Sequence, residues 1–308
     1  NEIRDCIVWD FFSNGNNVYD KALQWAASVD DLMKNYVSEN NNLAIDVLDP
    51  AGISSLKDNY NYKLFNAQKF LETARSIKSE DELICMEASL RNAEKGINLM
   101  HEKLEANMTE EELWAHLHKV NIENGGEWFD TRLLSSGPRT NPWLQECSNR
   151  IIQKGDLVAF DTDMIGTYGY CSDISRTFVE GGKLNEEQKK LHDLAYENIK
   201  YNEQLIKPGM TFREFAEKAW KLPDNCYDNH YPCQVHGVGM CDEWPFIAYP
   251  NKDYNNADFS GMFEENMTIT IESYIGEVGG REGVKLEDQY LVTTKGLKLL
   301  TKHPLNQV

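Results

Sequence analysis

Apolar residues recur along this chain with two different periods, and the changes between them predict its elements. IVWDFF (residues 7–12) is a short apolar run and predicts a strand. YDKALQWAASVDDLMKNYVSE (19–39) places apolar residues at three- and four-residue steps and predicts a helix. NLAIDVLD (42–49) alternates and predicts another strand, so residues 1–72 read as part of an α/β unit. A long amphipathic helix follows within ARSIKSEDELICMEASLRNAEKGINLMHEKLE (74–105). It opens at Ser79 with Glu82 three residues on, a capping box. A boundary is expected just before it, leaving residues 73–308 as a second, larger domain.

That second domain carries an internal echo. NMTEEELWA (107–115) matches GMTFREFAE (209–217): each sets a Glu three residues past a Thr, and each follows a long helical pattern. The copies lie too far apart for a solenoid and predict two related halves. The strand signals are the end of GDLVAFDTD, then ISRTFVE, MTITIESYI and DQYLVTT, rich in β-branched and aromatic residues. The expected class is α+β, with long helices over a mostly antiparallel sheet.

Composition narrows the partners. Of 308 residues, 41% are hydrophobic and 26% charged, with a formal charge of -19. So acidic a chain is a poor match for nucleic acid and a better one for a small cation; the charge also aids solubility. No apolar run approaches the roughly 18 residues that span a bilayer. Seven cysteines without a CxxC pair suggest neither a disulfide framework nor a zinc ribbon, and fit a reducing cytoplasm. Because the sequence opens on Asn1 rather than Met, part of the N-terminus is expected to be missing.

Acids on or beside the strands supply the candidate chemistry. Asp161 and Asp163 stand two apart at the end of an apolar strand, where alternation points both the same way. Asp173 follows a glycine-containing turn. His236 lies in HGVGMCDEWP, where Gly237 and Gly239 are expected to let the backbone bend. Glu272 and Glu287 sit in TITIESYI and VKLEDQYLV. Five carboxylates and an imidazole brought together would repel without cations. Oxygen-rich ligands with one nitrogen suit Mn, Fe, Co or Zn, in a site of one or two ions.

These motifs resemble the pita-bread superfamily of methionine aminopeptidase, Xaa-Pro aminopeptidase and creatinase. ARSIKSEDEL is similar to the helix that opens its catalytic domain. GYCSDISRTF, MTITIES and GVKLEDQYLVTTKG are similar to its metal-binding segments. The resemblance covers about residues 73–300. It implies Asp161 or Asp163, with Asp173, His236, Glu272 and Glu287, as metal ligands, Asp163 offering an additional one. It also implies that residues 1–72 are part of a creatinase-like N-terminal domain, and that the protein is a homodimer.

The departures are informative. Where the peptidases carry a second histidine after the first, this chain has Asp242, and Lys285 stands where Arg is common. A carboxylate cannot donate to a developing oxyanion, but it can act as a base. DTDMIGTYGYCSDISRT, YPCQVHGVGMCDEWP, IESYIGE and GVKLE resemble the dimethylsulfoniopropionate lyase branch. That likeness implies β-elimination of a zwitterionic sulfonium substrate to dimethyl sulfide and acrylate. It further implies iron or another divalent transition metal, Asp242 as general base, and Tyr231 as a substrate contact. Trp244 is a further candidate contact, with Trp128 and Trp143 as other aromatics suited to a sulfonium. An Xaa-Pro peptidase and a non-catalytic binding module are the competing readings.

Overall fold

The computed structural model describes residues 2–37, 41–250 and 258–308. The chain divides into two compact units, Asn1–Ala74 and Arg75–Val308.

In the smaller unit, α1 (Phe11–Asn14) and α2 (Val18–Tyr36) precede β1 (Asn42–Ile45), α3 (Pro50–Tyr60), β2 (Lys63–Asn66) and α4 (Gln68–Ser76), whose last two residues belong to the larger unit. IVWDFF is not a strand. Asp10 accepts from the Ser13 N–H and caps α1, so a local hydrogen bond turns the apolar run into the start of a helix. NLAIDVLD is a strand only as far as Ile45, because Asp49 caps α3 with Pro50 in its first turn. The end of the expected 19–39 helix, at 38–39, lies outside the described residues. Strands β1 and β2 pair in parallel, and Ala26, Leu56 and Tyr62 centre the small core.

The larger unit is built twice over. Helix α5 (Glu80–Lys103) starts at the Ser79–Glu82 capping box and α6 (Glu110–Glu123) at the Thr109–Glu112 box. After β3 (Trp128–Phe129), β4 (Leu134–Ser136), β5 (Leu157–Asp161), β6 (Met164–Ile165), β7 (Cys171–Ser172) and β8 (Ser175–Val179) comes α7 (Glu186–Leu205). Helix α8 (Phe212–Lys218) is capped by Thr211. Then β9 (Cys233–Val238), β10 (Asp242–Ala248), β11 (Thr268–Gly276), β12 (Gly283–Thr293) and β13 (Gly296–Leu299) form one antiparallel sheet in the order β10-β9-β11-β12-β13.

The echoed segments repeat their geometry. Asn107 and Gly209, each two residues before the capping Thr, both have left-handed backbone (φ 78° and 82°). Asn107 N–H donates to Ile152 O and Gly209 N–H to Phe263 O, at 3.0 and 2.8 Å. The core follows the same division. Leu90, Ile97 and Leu117 of α5 and α6 pack on Val158, Phe160 and Phe178. Leu191, Ile199 and Phe215 of α7 and α8 pack on Val235, Ile271 and Leu286. Thr177 on β8 bonds both the N–H and the carbonyl of Lys285 on β12, at 3.0 and 2.9 Å. Strand β8 therefore lies beside β12, and the acids line that junction.

Candidate metal centre

Each half contributes ligands by a different local route. In the first half, Asp161 ends β5 and Asp163 follows two residues later. Alternation does not align them: Asp163 has φ 36°, and this left-handed turn folds its carboxylate back beside that of Asp161. Thr131 donates a short hydrogen bond to Asp163 Oδ2. Asp173 lies between β7 and β8 rather than opening the latter. In the second half, the register of β11 and β12 sets Glu272 directly opposite Glu287, and His236 lies across from Thr270. Antiparallel partners on one face are close enough to share a ligand.

The result is two overlapping groups joined by Asp173. Ligand atoms of Asp173, His236, Glu272 and Glu287 lie within 4.8 Å of one another, as do those of Asp161, Asp163 and Asp173. All six residues are buried. His236 Nδ1 is 2.9 Å from the Gly237 carbonyl, which can only accept, so that nitrogen carries the proton. Nε2 is thereby aimed at the acids: 3.0 Å from Glu272, 3.4 Å from Asp173 and 3.6 Å from Glu287.

Electrostatics make the set untenable without added positive charge. Burial and the neighbouring Asp161 charge push Asp163 up to about 8. Burial, then Glu287, raises Asp173 well above the carboxylate range. Burial, then Asp161 and Glu272, does the same to Glu287. Asp161 is the exception. Burial would raise it, but the Lys285 ammonium, 2.9 Å away, holds it down to about 2. Among the described residues, Asp161 Oδ1, Asp173 Oδ1 and Glu287 Oε1 are buried without a hydrogen-bond partner. Orphaned, converging carboxylate oxygens with one imidazole nitrogen fit a divalent transition metal.

Lys285 is the residue whose part the motif reading undervalued. Fully buried, it donates to Asp161, Ser175 (2.7 Å) and Glu287 (3.4 Å) and pairs closely with Glu272. Its position two before Glu287 on a strand puts both on one face, a signal present in the sequence. Thr131 and Ser175 offered none.

Of the remaining candidates, Tyr231 is drawn in: the Lys285 ammonium lies 5.0 Å from its ring centroid, and the Glu272 charge and burial raise its hydroxyl pKa. Trp143 is buried 5.7 Å from the same ammonium. Asp242 sits on the rim, 60% exposed, its Oδ1 3.9 Å from His236 Nδ1. Burial by the surrounding walls raises its carboxyl; His236 opposes this and Asp161 adds to it. Trp244 goes elsewhere, packing edge-on against Phe212 in the α8 core at 5.2 Å. The register of β10 shifts between Glu243 and Phe246, which breaks the alternation that would align Trp244 with Asp242. Trp128 is exposed on a cavity of about 470 Å³ that also takes in Asp130 and Thr131. Gly237 and Gly239 are not bends in the left-handed region. A Cβ on either would strike the β10 side of the hairpin, at the Trp244 carbonyl and the Glu243 carboxylate respectively.

Residues 84–294 match the model of metallopeptidase family M24. The chain belongs to that family. This M24 chain is 37% identical over 302 residues to dimethylsulfoniopropionate lyase DddP of Roseovarius nubinhibens, covering 96% of this chain and 67% of that one. It is 31% identical to the Xaa-Pro dipeptidase of Pyrococcus furiosus, covering 81% and 70%. Among solved structures, the prolidase of Pyrococcus horikoshii superposes with a TM-score of 0.75 at 29% identity, over 91% of this chain and 79% of that one. The fold is the α+β pita-bread fold of these enzymes. No helix among the described residues is long and apolar enough to cross a membrane.

Proposed function

We propose that this M24 protein is a lyase that splits dimethylsulfoniopropionate into dimethyl sulfide and acrylate, with Asp242 as the base. The carrying observation is the open Asp242 carboxylate on the rim of a buried acid–imidazole cluster, in a chain 37% identical to such a lyase. Asp161, Asp163, Asp173, His236, Glu272 and Glu287 are the residues that would hold the metal, with iron expected and Mn, Zn or Co as alternatives. When bound, the metal would act as a Lewis acid on the substrate carboxylate and acidify the neighbouring C–H.

The chain's own groups account for the rest. Asp242 accepts the proton from the carbon next to the carboxylate. The C–H electrons become the C=C bond, the C–S bond breaks, and its pair leaves on neutral dimethyl sulfide. A carboxyl raised by its surroundings is a better acceptor near neutrality than a free one. Tyr231, its hydroxyl kept protonated by the Glu272 charge and by burial, would donate to the bound carboxylate. Elimination needs neither a water nucleophile nor an oxyanion donor, which agrees with an aspartate where the peptidases carry histidine.

The test is headspace dimethyl sulfide from purified, metal-loaded protein, with Asp242→Asn and Asp242→Ala alongside. Release by wild type and its loss in both variants is expected. No sulfide from folded wild type would overturn the reading. The likeness to the Pyrococcus dipeptidase supports a second reading, Xaa-Pro peptidase; it would be favoured by cleavage of a proline dipeptide without sulfide release.

A further inference from the structure

Glu243 follows Asp242 in the chain, and its side chain is fastened into the protein. It is only 2% exposed, and cations hold both of its oxygens. Arg75 donates to Oε1 through Nε at 3.1 Å and Nη2 at 2.7 Å, while Lys78 Nζ donates to Oε2 at 2.8 Å. The Met240 N–H donates to Oε1 at 3.0 Å, so the same carboxylate closes the turn joining β9 and β10. Arg75 Nη2 also reaches Cys241 Sγ at 3.2 Å. Gly239 leaves room for this arrangement, since a Cβ there would meet the Glu243 carboxylate. The clamp thus grips residues 240, 241 and 243, on both sides of Asp242. Lys78 Nζ in turn donates to the Arg75 carbonyl at 2.5 Å, tying the two cations to each other.

Asp242 itself projects from the clamped turn into open space, 60% exposed. A base on a two-stranded hairpin must keep its oxygen within hydrogen-bond reach of one proton. A misplacement of about 1 Å is enough to cost about a hundredfold in rate. A buried carboxylate gripped by two cations has little freedom, and taking away one cation leaves its charge undercompensated. We propose that Arg75 and Lys78, acting through Glu243, are positioning residues for Asp242. They hold the β9–β10 turn so that the Asp242 carboxylate stays at the His236 edge of the cluster. The role rests on the reading of Asp242 as the base. None of the three belongs to the acid–imidazole cluster, so their loss should leave metal binding intact and alter the chemical step.

The experiment measures sulfide release by Arg75→Met, Lys78→Met and Glu243→Gln, with metal content and thermal unfolding on the same samples. Glu243→Gln keeps the packing of the site and guards against a variant that does not fold. We expect kcat to fall about tenfold to a hundredfold with KM nearly unchanged and metal content equal to wild type. Arg75→Lys should restore most of kcat. Unchanged kcat in all three folded, metal-loaded variants overturns the proposal. So does a joint fall of kcat, substrate binding and metal content, which marks general loss of structure. If wild type releases no sulfide, the lyase reading fails and this role falls with it; an active wild type with indifferent clamp variants sinks this role alone.

Discussion

Glu110 and Glu287 are both fully buried glutamates of the larger unit, yet their surroundings differ oxygen by oxygen. Glu110 Oε1 accepts from the Ser136 N–H and hydroxyl, both at 2.8 Å. Its Oε2 accepts from the Ser148 N–H (3.0 Å) and hydroxyl (2.7 Å) and from Arg139. Glu287 shares one oxygen with Ser175 and Lys285, while its Oε1, 3.6 Å from His236 Nε2, has no hydrogen-bond partner among the described residues. A saturated carboxylate is stable in place and has nothing left to offer a ligand. A converging set with orphaned oxygens is unstable as anions and becomes stable only around a cation. The contrast separates an acid whose oxygens are all engaged in the fold from acids left open to a cation.

The largest effect should come from the open acid. Asp242→Asn keeps the side chain's shape and is expected to lower kcat about 10²–10⁴-fold, the range for a lost general base. Metal content, followed by elemental analysis, should not change. At the saturated acid the expected loss is of fold rather than rate. Glu110→Ala leaves Arg139 without its counter-ion and the Ser136 and Ser148 N–H groups without their acceptor, and should cost about 3–5 kcal/mol in denaturant unfolding. Activity per folded molecule should stay at the wild-type level.

A second buried region gives a pH test. Arg176 Nη2 donates to Asp288 Oδ1 at 2.7 Å, and its Nε to His303 Nδ1 at 3.3 Å. Burial, then the Arg176 charge, depresses His303 from 6.5 to about 4. The fold therefore binds the neutral ring, and its contribution is complete above about 6.5. Between about 6.5 and 4 the unfolded chain takes up the proton first, so stability should fall with falling pH, by at most about 3 kcal/mol. His303→Gln should flatten that slope in unfolding curves measured from pH 7 to 4. The smallest effect runs in the opposite direction. Asp173→Asn replaces an acid whose ionised form the metal-free fold resists, and should stabilise metal-free protein. The same change should weaken metal binding measured by calorimetry. Destabilisation of the metal-free form would erase the distinction between the two classes of acid.

Much of this was legible in the residues, and the reason is locality. The Ser79–Glu82 and Thr109–Glu112 boxes satisfy their own hydrogen bonds within one helical turn. The strands carrying Glu272 and Glu287 show as β-branched runs because each buries both faces. IVWDFF misled because its hydrophobicity outweighed a single capping aspartate. Trp244 is an aromatic two residues from Asp242 in the chain, but it packs against Phe212, a contact that nearness in the chain does not reveal.

From sequence alone came the capping boxes of α5 and α6, the doubled architecture and the five acids and one imidazole on their segments, each a matter of neighbouring residues. Only the tertiary structure decided which acids converge and which are saturated, since that depends on strand register and on partners from 26 to 168 residues away. Lys285 reaching Asp161 and Arg75 reaching Glu243 are contacts of that kind. A carboxylate's chemistry is set by how many of its oxygens find donors, and folding brings those donors from distant parts of the chain.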